Sequence, residues 1–210
     1  DFHIYRPMNS KMNSDSDLVL NIIPKSSMTN FGQIKVGRII YKYGKQIRPS
    51  YPGFSDIIVM TKSSAYGSLG PYVLKNEQNQ IMENIWQFSK VYSFVPYSKQ
   101  TYPRNKSLVI WEHPSEIHTD DQQNPLPPYW EWRNKGFNAP YPIRYPVGYY
   151  HRANCLYALK EKGGPRLDYI QSRKEIYLPL YCDLVKKVNA FDQLKRRWMN
   201  GENLLILEVD

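Results

Sequence analysis

An α+β domain is the fold the sequence predicts, and three observations predict it. Short β-branched runs divided by turn residues occupy positions 18–61. Helical periodicity governs most of the chain from Gly148 onward, and a closing apolar run, Leu204-Leu205-Ile206-Leu207, has the length of a buried strand. The chain has 210 residues, 41% hydrophobic and 14% aromatic, which suits one domain and is too apolar for a wholly disordered polypeptide. No apolar run approaches the ~20 residues a helix needs to cross a bilayer, so no membrane span is expected.

Taken in order, residues 1–17 are polar and aperiodic, which predicts a loosely held arm. Residues 18–210 are expected to form the single domain. Strands are predicted at Leu18–Ile23, where Pro24 ends the run, at Gln33–Tyr41 and at Ile57–Thr61, with Gly44 and Pro49–Gly53 as loops. Ser63–Tyr72 is a turn rich in small residues, permitting close backbone approach. Ile81, Ile85, Phe88 and Tyr92 form one apolar stripe and predict a helix from Ile81 to about Tyr92.

Residues 96–146 hold nine of the 16 prolines, a density that argues against long helices and central strands. Trp111, Trp130 and Trp132 should pin this insertion to the body, so it is predicted to be an irregular, ordered excursion flanking a site. A helical half follows. One helix should run from Gly148 to Lys162 and stop at Gly163-Gly164-Pro165; a second, Asp168–Lys187, should kink or break at Pro179; a third should run from Phe191 to Asn200, before Gly201. The chain opens on Asp1 rather than Met, as a processed or trimmed product or the ordered part of a longer chain would, and it stops just after its last apolar run, so further residues are expected beyond Asp210.

The net charge of +9 draws the protein toward polyanions: nucleic acid, nucleotides or phosphorylated metabolites. The charge is spread rather than gathered in a tail. Lys186-Lys187 and Lys195-Arg196-Arg197 read first as solvated helix faces. Cys155 and Cys182 fall in segments predicted to be helical and lack CxxC or Cys/His neighbours. Two reduced, mostly buried thiols are expected, in an intracellular setting (cytoplasm or nucleus) or inside a virion.

One helical stretch gathers polar groups. Glu83, Asn84, Gln87 and Lys90 follow three- and four-residue steps, with Trp86 one turn from Glu83. Such a face places a carboxylate, an amide and an ammonium around one ligand, and a carboxylate desolvated beside an indole gains a raised pKa suited to acid–base work. A plain amphipathic helix with a surface network has the same spacing. Glu112–Asp121 contains His113, His118 and four carboxylates, but it has no HExxH spacing, and Pro114 keeps both imidazoles off one helix face. A polar loop is expected there, with no metal; a metal-dependent hydrolase built on His113 and His118 is the minor alternative. No GxSxG marks a serine hydrolase. Arg144, His151, Arg152, Arg166 and Arg173 either clamp a phosphate or pair with Asp168, Glu175 and Asp183. Interleaved Tyr and Trp also suit a stacked base or single-stranded nucleic acid.

Ala65-Tyr66-Gly67-Ser68-Leu69 through Tyr72, followed by Glu83-Asn84-Ile85-Trp86-Gln87-Phe88-Ser89-Lys90, resembles the opening of the NADAR (YbiA-like) family. There a "YG..LSNF" segment precedes a helix reading roughly "SEHxFQAxK"; Glu83, Gln87 and Lys90 fall in register with it. Arg173-Lys174 through Lys187, then Phe191–Met199 and Leu204–Glu208, looks like the family's closing section. The resemblance covers about half the chain. Asn84 stands where the family has histidine, residues 96–146 have no placed counterpart, and the terminal "D..WG.G" element would begin at Asp210.

The resemblance implies an α+β domain that cleaves N-glycosidic bonds of ADP-ribose-like or ribosylated-base substrates without metal or cofactor. By the same resemblance, Glu83 would stabilise oxocarbenium character and Lys90 would contact phosphate or keep the carboxylate ionised. From residue type alone, Trp86 or Tyr66 would stack on a base and Arg144 or Arg173 would receive pyrophosphate charge, while Asn84 and Gln87, in the matched helix, would touch the substrate. The competing expectation is a basic nucleic-acid-binding or virion-associated protein that keeps the scaffold without catalysis.

Overall fold

The computed structural model describes residues 31–60 and 65–209. It has an α+β architecture in which the last strand is central. β1 (Ile34–Lys42) and β3 (Phe54–Val59) both run parallel to β10 (Asn203–Val209), and β2 (Lys45–Ile47) pairs antiparallel with β1, giving the order β2-β1-β10-β3. The β1–β2 hairpin turns on Tyr43 and Gly44, both at positive φ (51° and 74°), the left-handed pair a tight hairpin requires.

Centrality explains the composition of β10. A strand covered on both faces reads as a continuous apolar run rather than an alternating one. Leu204 packs with Ile57 against Leu184, Val185, Leu194 and Trp198, whereas Leu205 and Leu207 pack with Ile39 on the opposite face. The predicted strand at Leu204–Leu207 and that at Gln33–Tyr41 are therefore both present. The arm at 1–17 and the strand at Leu18–Ile23 lie outside the described residues, as do positions 61–64.

The helix predicted from Ile81 is shorter than expected, α1 spanning Met82–Phe88. It stops because Lys90–Val91 leave to form β4, which pairs antiparallel with β9 (Tyr157–Ala158). Short as it is, α1 joins three apolar clusters. Met82 belongs to the core under the four-stranded sheet, Phe88 to a second core with Trp111 and Trp132, and Trp86 to a small one with Ala158, Leu167 and Ile176. With its apolar groups spread over three cores, its remaining residues are held in fixed orientation.

The 96–146 excursion is not irregular. β5 (Phe94–Val95) pairs with β8 (Glu116–Ile117), β6 (Ser98–Tyr102) and β7 (Asn105–His113) form a hairpin, and α2 spans Pro127–Phe137. The prolines sit where they cost little. Pro103 lies in the hairpin turn, Pro114 follows β7, and Pro127-Pro128 open α2, where the missing N–H groups have no intrahelical acceptor to reach. Against α1, a Cβ at Gly136 of α2 would meet the ring of Phe88 at 2.1 Å, so the contact requires glycine.

The helix predicted over Gly148–Lys162 is likewise absent. Tertiary pairing overrides local pattern here: one 3₁₀ turn (Arg152–Asn154) leads into β9, with Leu156 N–H donating to Val91 O (2.9 Å) and Leu159 N–H to Ser89 O (2.9 Å). Cys155 thus lies outside any helix, and both thiols are free and half-buried. The second predicted helix breaks as expected near Pro179. α3 (Tyr169–Ser172), capped by a reciprocal Asp168–Gln171 box, runs into a π-helical turn (Arg173–Tyr177) and then α4 (Leu178–Val185). Proline cannot supply the usual amide, and the widened turn just before it accommodates that loss. α5 (Asn189–Met199) completes the helices. Among the described residues no helix is long and apolar enough to cross a membrane.

Candidate functional site

The polar face of α1 is an ordered hydrogen-bonded row. Gln87 Nε2 donates to Glu83 Oε1 (2.8 Å), and Lys90 Nζ donates to Gln87 Oε1 (2.8 Å). This fixes the Gln87 amide with its NH₂ toward the acid and its carbonyl toward the amine. Lys90 Nζ also lies 4.9 Å from the Trp86 ring centre. Glu83 is only 5% exposed, so this is no solvated surface network.

Trp86, Gln87 and Lys90 form one wall of a cleft of about 650 Å³. Arg144, Tyr145, Tyr149 and Arg152 form the facing wall, and Tyr169 at the start of α3 completes the lining beside Trp86, the two rings 6.4 Å apart. The volume falls within the range of small-molecule sites. Gly148, at φ +79° with its N–H donating to Tyr145 O (2.9 Å), turns the chain so that the Tyr149 ring meets Tyr145 edge-on at 5.2 Å. The Arg152 guanidinium lies 3.6 Å over the Tyr149 ring, and that of Arg144 lies 5.2 Å over Tyr145. The two guanidiniums are thus supported by aromatic faces. No carboxylate among the described residues is within ion-pair distance of Arg144, Arg152 or Arg173.

Two expected residues stand behind the cleft wall. Glu83 lies one helical turn back from Gln87. Arg173, in the π-helical turn, sits 4.4 Å over Tyr177, whose ring meets Trp86 edge-on at 5.3 Å. Both still act on the cleft electrostatically. Burial pushes the Glu83 carboxyl above its ordinary range, opposed by the hydrogen bond from Gln87 and by the charges of Lys90, Arg144 and Arg173. Burial pushes the Lys90 ammonium below its ordinary range; Arg173 adds to this, while Cys155 and Glu83 oppose it. An acid shifted up and an amine shifted down, joined through one amide, are the kind of perturbed pair that proton-transfer sites use.

Two others have different work. Asn84 is fully buried: Nδ2 donates to Ala139 O (3.2 Å) and Tyr141 O (2.9 Å), and Oδ1 accepts from Ile143 N–H (2.7 Å). Its amide is committed to the backbone that carries Arg144, so it positions the facing wall rather than touching a ligand. The Tyr66 hydroxyl accepts from Arg197, whose guanidinium pairs with Glu202 beneath the sheet end. Tyr66 is not among the residues that line the cleft.

Sequence reading missed Tyr145, Tyr149 and Tyr169, and it gave Arg152 no individual role. The run of tyrosines on both sides of Gly148 was the available signal. Tyr72 was missed too. Burial first, and the nearby Glu83 carboxylate second, push its phenol up, so its O–H stays protonated beside the site. The small-residue turn does meet α1, through Glu83 N–H donating to Pro71 O (3.0 Å).

Glu112–Asp121 is not a plain polar loop. His113 and His118 are buried, 7% and 0% exposed, and both rings point their Nε2 at one oxygen of Glu116. Arg166, expected to clamp phosphate or pair with an acid, instead donates to Gln122 O (3.1 Å) and Asn124 Oδ1 (2.9 Å). No family profile, curated protein or solved structure matches the chain.

Proposed function

We propose that the protein is an N-glycosidase, similar to NADAR proteins, that hydrolyses the bond between ribose and base in an ADP-ribosylated nucleobase or a related ADP-ribose-like substrate. The observation that carries this reading is the Glu83–Gln87–Lys90 row set against a cleft whose far wall presents Arg144 and Arg152. Two guanidiniums that have no carboxylate partner among the described residues, Arg152 being held by the Tyr149 carbonyl, suit a pyrophosphate opposite an ammonium, and the exposed rings of Tyr149 and Tyr169 offer stacking faces for a base.

The chemistry balances without an added cofactor. The C1′–N bond breaks with its electron pair going to the base nitrogen, C1′ gains oxocarbenium character, and water adds there. The proton lost by that water offsets the one taken up by the base. Negative charge from Glu83 stabilises the oxocarbenium ion through the amide of Gln87, and Lys90 holds phosphate or sustains the ionised carboxylate. Incubation with an ADP-ribosylated nucleobase is expected to release free base and ADP-ribose. Unchanged substrate under conditions where it binds contradicts the reading.

A second reading, a non-catalytic nucleic-acid-binding protein, draws on one observation. Tyr149 and Tyr150 are exposed, meet edge-on at 5.5 Å and lie beside Arg152, an arrangement that serves to stack unpaired bases. Single-stranded DNA or RNA binding with a steep salt dependence and no turnover favours it.

A further inference from the structure

Away from the cleft, one group of histidine and carboxylate side chains converges among the described residues. His113 ends β7, Glu116 begins β8, and His118 follows that strand; one ligand atom from each lies within 4.8 Å of the others. The turn through Pro114 keeps the two histidines off a common helix, but a strand, a short turn and a second strand bring them together just as well. Glu116 Oε1 receives His118 Nε2 at 3.1 Å and also the Nε2 of His113. Two nitrogens and one oxygen about 2.0–2.1 Å from a tetrahedral zinc ion lie about 3.4 Å apart; the His118–Glu116 pair is close to that at 3.1 Å, and opening the shorter His113–Glu116 contact brings the second pair to it.

The rings are held in place. His113 stacks on Trp111 (5.6 Å, 14°), and His118 meets Trp132 edge-on at 5.2 Å and Tyr129 at 6.0 Å. Backbone bonds fix His118 on both sides, with its N–H donating to Ser93 O (2.9 Å) and its carbonyl accepting from Leu126 N–H (2.8 Å). Burying two imidazoles costs free energy unless their polar atoms are partnered, yet Nδ1 of both His113 and His118 is buried without a hydrogen-bond partner. Two imidazole Nε2 atoms crowded on one carboxylate oxygen are a strained hydrogen-bond arrangement but an ordinary ligand set for a cation, which would bind at Nε2 and leave each Nδ1 as it is. Glu116, its side chain 28% exposed, supplies the opening to solvent.

We propose that His113, Glu116 and His118 bind a divalent first-row transition ion, with zinc as the representative and water in the remaining position. The ion replaces the hydrogen bonds at Glu116 and ties the end of β7 to the segment that enters α2. None of the three ligands lines the cleft, so the site stands apart from the proposed glycosidase chemistry. Its two Nδ1 groups have no acceptor when they carry the proton. Outer partners of that kind are worth about 10–100-fold in affinity, so binding is expected to be micromolar rather than nanomolar.

The test is titration of the chelator-treated full chain with zinc chloride by calorimetry, and with cobalt(II) by visible absorption. Expected are one ion per chain, tetrahedral cobalt bands and a higher thermal midpoint with zinc. Glu116→Gln, at the solvent edge, should fold normally and bind at least tenfold more weakly; His113→Gln is the second variant should either change unsettle the fold. Absence of saturable one-to-one binding below millimolar zinc overturns the proposal. So does wild-type affinity in both variants, which would assign the bound ion to surface carboxylates elsewhere.

Discussion

Asn84 Oδ1 accepts the backbone N–H of Ile143 at 2.7 Å across 59 residues of sequence, and the same side chain donates to the carbonyls of Ala139 and Tyr141. One buried amide therefore ties α1, which carries Gln87 and leads into Lys90, to the segment that carries Arg144. Asn84→Ala removes three hydrogen bonds and leaves buried backbone groups unpaired. The expected cost is about 2–4 kcal/mol of folding stability. Urea unfolding measures it, and ligand affinity should fall in the surviving folded fraction because the facing wall is released.

The α1–α2 contact gives a prediction independent of function. Gly136→Ala places a methyl group inside the fully buried Phe88 ring, which has no room to retreat between Trp111 and Trp132. Overpacking of this kind costs about 1–3 kcal/mol. A lowered thermal midpoint is expected; an unchanged one contradicts the close approach.

The two guanidiniums of the cleft should act on charged ligand groups and little on the fold. Arg144→Ala and Arg152→Ala are expected to weaken binding of ADP-ribose about tenfold each and to leave binding of an uncharged nucleoside nearly unchanged. The salt dependence of ADP-ribose binding should flatten in both variants, and calorimetry at two ionic strengths reads this directly.

The α+β class and the central closing strand were legible because burial on both faces leaves an unmistakable apolar run. Glu83, Gln87 and Lys90 were legible as a face because helical spacing is local. What stayed hidden depends on partners distant in sequence. Lys90–Val91 read as helix until Tyr157–Ala158 are seen to pair with them, and Gly148–Lys162 read as helix for the same reason. The prolines of 96–146 misled because their cost depends on position: Pro127-Pro128 obstruct a helix interior but begin α2 without penalty. Asn84 matched a ligand-binding pattern, yet its partners lie beyond residue 138, which spacing does not reveal. The spacing of His113 and His118 excludes a shared helix face, yet the end of β7 and the residue after β8 bring the two rings together.

The pH dependence of turnover should report the two shifted groups. If the ionised Glu83 and the protonated Lys90 are required, activity rises with pH through a carboxyl titration above the ordinary 4.5 and falls through an amine titration below the ordinary 10.5. The profile is a bell compressed from both sides. Binding of a pyrophosphate beside Arg144 neutralises a charge that holds Glu83 down, so the acid limb of kcat should lie at higher pH than that of kcat/KM.

Folding has the opposite preference. A carboxyl whose folded pKa lies above its unfolded value adds stability at low pH, and that contribution is lost as pH rises through the folded pKa. Above its folded pKa the ionised Glu83 is a burden on the fold, and an amide in its place is not. The most direct measurement is therefore a paired one: release of ADP-ribose from an ADP-ribosylated nucleobase by the wild type and by Glu83→Gln, with the thermal midpoint and ligand affinity of both. The account predicts about a 10²–10⁴-fold loss of turnover, retained binding and a midpoint no lower than that of the wild type. Equal turnover in the two proteins, or none in either while the substrate is bound, would contradict it.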